Sequence, residues 1–294
     1  MTNDDLAARE HENWIGYLTG VVGCAHRAAV RRADGVVSVM TGLPFDWFNQ
    51  ILVERDGATS DAVLAAVAQA RDEGRRFVVR LRDGLDDRLI PTLERAGLAP
   101  QDDETRTPGM AAAPIDGDLV AAHRAQGLEI RRVTDAAGIE AHRHVVTAGF
   151  GSEPSVAQGT ACLALLERPE CTVYVGVADG EPVVSGLGWR TGRTIGVYSI
   201  ATVEAARRRG YGAAMTGHVV ADGRAAGCDV AALQASEVGR RIYERLGFRT
   251  VVRYAAYADR SSDPRVAPDL VEAQPSIEPT RLAGAPHSQL MGTC

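Results

Sequence analysis

The clearest periodicity in the chain lies in its last third. Tyr211, Met215 and Val219 recur every fourth residue, the spacing of one buried helix face, and Gly227 supplies a C-terminal stop. The apolar run 230–233 reads as a buried strand. Ser236 is a good N-cap for a second helix, with Val238, Ile242 and Leu246 as its stripe and Gly247 at its end. From 248 to 257 the chain is β-rich. Upstream, the pattern predicts a strand at 128–133 and helices at 136–150 and 155–167. Strands at 171–178 and 182–189 are joined by Asp179-Gly180, a hairpin turn signal. A strand at 193–202 leads into the first periodic helix. The predicted order is strand, two helices, three antiparallel strands, then helix, strand, helix and strand.

The first half repeats part of this order. A helix end in 68–74 stops at Gly74, and a strand follows at 77–81. Residues 89–98 contain Leu93-Glu94-Arg95-Ala96-Gly97-Leu98, to be set beside Tyr243-Glu244-Arg245-Leu246-Gly247-Phe248. The two glycine pairs, Gly74 to Gly97 and Gly227 to Gly247, have nearly the same separation, as an internal duplication would give. Residues 36–40 and 48–54 supply candidate strands. An unrelated α/β domain with a chance match is the other reading. No apolar period marks residues 261–294, which hold five of the 13 prolines and read as a disordered tail.

Composition adds limits. The chain has 294 residues, enough for about two domains. Its net charge of −6 argues against general nucleic-acid binding, which needs a basic face. The five cysteines are scattered, odd in number and without a C-x-x-C, which fits buried thiols in a reduced, cytoplasmic setting. Residues 1–10 are acidic and polar with no apolar leader core, and no apolar run has the length of a membrane span.

The chemistry concentrates in Arg207-Arg208-Arg209-Gly210-Tyr211-Gly212, between a strand and a helix start. Glycines let the backbone approach an anion, the first N–H groups of a helix lack internal partners, and arginines add charge. By itself the hexapeptide is also a helix-entry turn with a solvated basic cluster. Its spacing, Arg207-x-x-Gly210-x-Gly212, resembles the Q/R-x-x-G-x-G/A pyrophosphate loop of the GNAT acyltransferases, and Tyr243 to Phe248 looks like their Y-E-x-L-G-F signature. The resemblance covers about residues 128–258. It departs from the family in one respect: the usual final strand is not visible after Tyr257.

The resemblance implies an α/β fold of the α+β type, with two GNAT-like domains and a central, mostly antiparallel sheet flanked by helices. Residues 1–115 would be a degenerate GNAT-like domain without a phosphate loop, since Arg55-Asp56-Gly57-Ala58-Thr59-Ser60 makes a poor anion cradle. A linker would take 116–127, the catalytic GNAT domain 128–260 and the tail 261–294. The implied activity moves an acetyl group from acetyl-CoA, as co-substrate, to a primary amine of a small molecule, peptide or protein by direct attack. The loop N–H groups of Arg208, Arg209, Gly210, Tyr211, Gly212 and Ala213 would meet the pyrophosphate, with Arg207 beside them in the cofactor site. The main chain of Ile200, Ala201 and Thr202 would pair with the pantetheine amides, and Ser236 would contact the arm or merely cap its helix. Tyr243 would protonate the departing thiolate as general acid. Glu204 and Glu153 are the candidate bases; no acid stands in the strand before Ser236.

No metal is expected: His142 and His144, two apart on a predicted helix, do not share a face. Gly210-x-Gly212 is no dinucleotide fingerprint, because Met215 replaces the third glycine. The reading expects no nucleic-acid or membrane partner and leaves room for a homodimer. Its alternatives are a non-catalytic acyl-CoA-binding sensor or interaction module, and a nucleotide-binding protein of another class.

Overall fold

Eleven strands of the chain form one continuous path of pairing, and both halves contribute to it. The computed structural model describes residues 1–259 apart from 26–27, 46–47, 102–105, 116–118 and 120–124. The expected tail, 261–294, and most of the expected linker, 116–127, lie outside these described residues.

The first half comprises α1 (Asn3–Val21), β1 (Ala29–Ala33), β2 (Val36–Met40), β3 (Asn49–Val53), α2 (Ser60–Asp72), β4 (Val78–Arg82), α3 (Ile90–Arg95), β5 (Leu98–Pro100) and β6 (Thr107–Ala112). The second comprises β7 (Glu129–Arg132), α4 (Ala136–Phe150), α5 (Pro154–Thr160), β8 (Cys171–Ala178), β9 (Glu181–Thr191), β10 (Thr194–Thr202), α6 (Tyr211–Ala225), β11 (Val230–Gln234), α7 (Glu237–Arg245) and β12 (Arg249–Asp259). The single helix expected at 155–167 is instead α5 followed by a 3-10 turn, Leu163–Glu167.

The sheet runs β1-β2-β3-β4-β12-β6-β11-β10-β9-β8-β7, with β5 beside β12. Among the described residues only β3–β4 and β10–β11 pair in parallel; the other pairs are antiparallel. The halves exchange strands at the centre. β6 of the first half lies between β11 and β12, so it fills the place of the final strand that the second half lacks. In return the far end of β12 lies between β4 and β5. Each half is completed by the other.

α1 lies over this junction. Its start is a capping box: Asp5 N donates to the Thr2 hydroxyl at 3.1 Å while Thr2 N donates to Asp5 Oδ2 at 2.8 Å. Its buried residues include Leu6, Trp14 and Val21, in one core with Leu52 and Val37 of the first half and Val173, Leu187 and Tyr254 of the second. A separate core packs α2 and α3 on the first-half strands, and another packs α6 on the second-half strands.

The reading of the cysteines as thiols needs correction. Cys24 and Cys162 are joined in a disulfide with Cα atoms 5.3 Å apart. They are 138 positions apart in sequence and meet only because the end of α1 packs near α5, so spacing gave no sign of the bond. Cys171 and Cys228 are free and buried. No helix among the described residues is long and apolar enough to cross a membrane.

Candidate active site

The site opens where two neighbouring strands part. β10 and β11 are partners only across Thr194–Gly196 and Val230–Ala232. On its other edge β10 loses register with β9 between Tyr198 and Ala201. Ser199 takes a left-handed φ of 51° there, and the Ser185 hydroxyl donates to its carbonyl at 3.0 Å. A bulge bends its strand, so among the described residues the β10 main chain beyond Gly196 has no strand partner on the β11 side.

α6 begins at the mouth of this gap. Its N-cap, Gly210, has φ 81° and brings no side-chain cap; Arg208 is left-handed too, at φ 65°. Such a turn aims successive N–H groups to one side as an anion nest. The first bond within the helix runs from Ala214 N to Gly210 O at 3.0 Å, so the N–H groups of Tyr211, Gly212 and Ala213 are left for a ligand. A Cβ on Gly212 would meet only Thr202 Oγ1 at 3.5 Å and Ile200 Cγ2 at 3.7 Å, so the backbone there is bare and approachable.

Between the parted strands and α7 lies a cleft of about 790 Å³, within the size range of small-ligand sites. Ile200, Thr202, Arg207, Arg208, Gly210, Tyr211, Gly212, Ala213, Ser236 and Tyr243 all line it. The sequence reading thus brings ten of its residues to one cavity. Arg209 is exposed and Ala201 buried against β9; neither lines the cleft. The Arg207 side chain does not reach for an anion: its guanidinium donates to the Gly149 carbonyl at 2.8 Å, near the end of α4. There a cation meets the negative end of the helix. Ser236 caps α7 by accepting from Gly239 N at 3.0 Å, and its hydroxyl proton stays available to the cleft it lines.

Tyr243 is half-buried, packs edge-on to Phe248 at 6.0 Å, and its hydroxyl has no hydrogen-bond partner among the described residues. Burial pushes the phenol up to about 12, so it holds its proton at neutral pH. The two candidate bases fall elsewhere. Glu204 lies in a 3-10 turn after β10 and Glu153 stands just before α5 without a side-chain capping bond; both are exposed and neither lines the cleft. The helix stripe predicted for α7 also needs correction. Ile242 is 42% exposed and faces the cleft rather than the core, because this short helix leans one edge over the cavity.

Phe150, Ser199, Gln234 and Arg245 also line the cleft and were not singled out by pattern. Gln234 is the residue that carried a signal: it ends the strand in which an acid was sought. His142 is buried and His144 exposed, on different faces of α4, as their spacing implied.

Comparison with known proteins agrees with this geometry. Residues 169–250 match the family model of the acetyltransferase (GNAT) domain. No curated protein matches the chain in sequence. Among solved structures, the chain is similar to a GCN5-related N-acetyltransferase from Kribbella flavida, with 19% identity over 87% of this chain and 96% of that one and a TM-score of 0.66. It is similar to a tandem GNAT protein from the clavulanic acid biosynthesis pathway at 12% identity, over 85% and 95% of the two chains, TM-score 0.57. A GCN5-related N-acetyltransferase from Sphaerobacter thermophilus gives 17%, 88%, 93% and 0.54. Residues 169–250 of the second half thus match a GNAT acetyltransferase domain. The two halves together have the tandem GNAT fold.

Proposed function

We propose that the second half moves an acetyl group from acetyl-CoA to a primary amine of a small molecule or peptide. One juxtaposition carries this reading: the open first turn of α6, the edge of β10 beyond its β11 pairing and Tyr243 all border one cleft. The N–H groups from Arg208 to Ala213 hold the diphosphate, a use for which helix starts are suited. The freed main chain from Val197 to Thr202 pairs with the pantetheine amides, which need partners once buried. An N–H of that edge faces the thioester oxygen. It stabilises the charge that grows there as the amine nitrogen bonds to the carbonyl carbon. The carbon–sulfur bond then breaks, Tyr243 gives its proton to the departing sulfur, and the proton shed by the amine restores the phenol.

A second reading, an acyl-CoA-binding sensor, draws on one observation: no Asp or Glu lines the cleft among the described residues. One experiment separates the two. Free-thiol release from acetyl-CoA is measured across a panel of primary amines with wild type and Tyr243→Phe. Transfer requires release with at least one amine and a fall of about 10²-fold or more in kcat for the variant at unchanged CoA affinity. CoA binding with no release from any amine would leave the sensor.

A further inference from the structure

The first half lines none of the cleft among the described residues, yet its N-terminal helix reaches the cleft wall from behind. Gln234, at the end of β11, stands in that wall near Tyr198. Its Nε2 donates to Glu10 Oε1 at 2.5 Å. The Tyr198 hydroxyl donates to Asn13 Oδ1 at 2.6 Å, and Asn13 Nδ2 donates to the Trp189 carbonyl at 2.9 Å. Glu10 and Asn13 are fully buried. The second oxygen of Glu10 lies 2.6 Å from the Tyr254 hydroxyl.

The sheet has been shaped to admit these groups. A Cβ on Gly109 of β6 would run into Glu10 Oε1, and one on Gly196 of β10 into Asn13 Oδ1. Burying a carboxyl is costly unless its hydrogen bonds are made, and an apolar residue would fill the same space without that cost. What the carboxyl achieves here is orientation. It draws the Gln234 NH₂ group inward, away from the cavity, which leaves Oε1 as the amide's acceptor for the cleft.

The rest of the cleft restricts what that acceptor meets. Its charged side chains among the described residues are Arg207, Arg208 and Arg245, with no carboxylate. A protonated amine entering the cleft finds like charge and no group to take its proton. A neutral amine finds a carbonyl oxygen that accepts its N–H and leaves the nitrogen lone pair free for attack. We infer that Gln234, positioned by Glu10, receives the acceptor, and that the acceptor is an amine largely neutral at neutral pH, such as an arylamine or a hydrazide. This rests on the acetyl-transfer reading above.

The test compares such amines with aliphatic diamines of similar size, by kcat/KM at pH 7. In parallel, calorimetry measures amine binding to protein saturated with a non-transferable thioether analogue of acetyl-CoA. Both are run for wild type, Gln234→Leu, Glu10→Leu and Glu10→Gln, with melting curves to show that each is folded. The weakly basic amines should lead by at least tenfold. Gln234→Leu and Glu10→Leu should weaken amine binding about tenfold, about 1.4 kcal/mol, at unchanged CoA affinity. Glu10→Gln should recover most of that loss, because its amide can still accept from Gln234. A diamine preference, wild-type amine binding by Gln234→Leu, or Glu10→Gln as defective as Glu10→Leu would overturn the inference. Should Glu10→Leu not fold, Gln234→Leu on the cleft wall decides alone. Amine binding that depends on Gln234 without any thiol release would sink the transfer reading, and with it the acceptor role, and leave Gln234 as an amine subsite only. Transfer that is indifferent to Gln234 would keep the transfer reading and sink this one.

Discussion

In the first half, β3 pairs with β4 through Gln50, Ile51 and Leu52 and so stays beside it to within one residue of its end, and α2 begins under a closed cap, with Ala62 N donating to the Thr59 hydroxyl at 3.2 Å. Arg88 donates to the Ala58 carbonyl just before that cap, and Arg82 is committed to Asp86 and Asp56. In the second half the same succession of strand, helix, strand and helix is open. β10 leaves β11 after three pairs, and α6 starts at a glycine with no cap. Where the first half has Leu93, fully buried, the second has Tyr243 at the cleft. One supersecondary unit has thus been closed into core in one place and held open in another. The difference comes down to a bulge at Ser199, a glycine in place of Thr59 and a tyrosine in place of a leucine.

The largest effect expected from this contrast is on Leu93. Truncation of a fully buried leucine leaves a cavity, so Leu93→Ala should lose about 2–5 kcal/mol in chemical denaturation. Tyr243→Phe, at the matching position, removes a hydroxyl that bonds nothing described and should change stability by less than about 0.5 kcal/mol. Equal losses at the two positions would mean that Tyr243 is core and that the halves do not differ as argued.

Gly212→Asp comes next. Its Cβ has only ordinary contacts, at 3.5 and 3.7 Å, so the fold should persist. The carboxylate would stand at the open first turn of α6 against a like-charged ligand. CoA affinity should fall by about a hundredfold, about 2.8 kcal/mol, in calorimetry. Affinity within threefold of wild type would remove the loop from the site.

Much of the second half was legible because its residues do locally what they do globally. Tyr211, Met215 and Val219 face the core, and Gly227 and Gly247 end their helices in left-handed conformations. Two things hid the rest. Thr107–Ala112 carries a proline and a glycine where strands prefer branched residues, so the strand that completes the second half did not look like one. α1 has a regular inner face, Leu6, Glu10, Trp14, Tyr17 and Val21, but a buried acid breaks its apolar pattern. The group that most shapes the cleft wall from behind was thus the one that masked its own helix. Ile242 misled in the opposite sense: an apolar residue at core spacing that faces a cavity instead.

That buried acid gives the next prediction. Burial pushes the Glu10 carboxyl up to about 8 and His11 down to about 4. Tyr254 and Gln234 hydrogen-bond Glu10, Tyr198 stands near it, and Arg82 and Asp86 face His11. His11 Nε2 lies 2.7 Å from the Val53 carbonyl and must carry the ring proton. Nδ1 lies 3.0 Å from the Tyr254 hydroxyl, whose oxygen is 2.6 Å from Glu10 Oε2. The folded chain therefore retains a proton that the unfolded chain releases above its ordinary value of 4.5, so Glu10 lowers stability as pH rises from 4.5 to about 8. His11 and His142, also held down at about 4, act the other way between 4 and 6.5. Above 6.5 they no longer offset it. Stability should fall by roughly 2 kcal/mol between pH 6.5 and 8, and Glu10→Gln should flatten that fall. An unchanged slope in the variant would place the titration elsewhere.

Thr59→Ala is the smallest change and bears most directly on the contrast. It removes the cap of α2 and should cost about 1 kcal/mol, read from the denaturation midpoint. If an uncapped helix start were all that separates the halves, the variant would gain a second CoA site, and calorimetric stoichiometry would move from one towards two. No second site is expected. β3 stays paired with β4 where β10 has left β11, Arg88 still holds the Ala58 carbonyl, and Leu93 still fills the space that Tyr243 leaves open. A free helix start binds diphosphate only where the neighbouring strand has also been parted to receive the rest of the molecule.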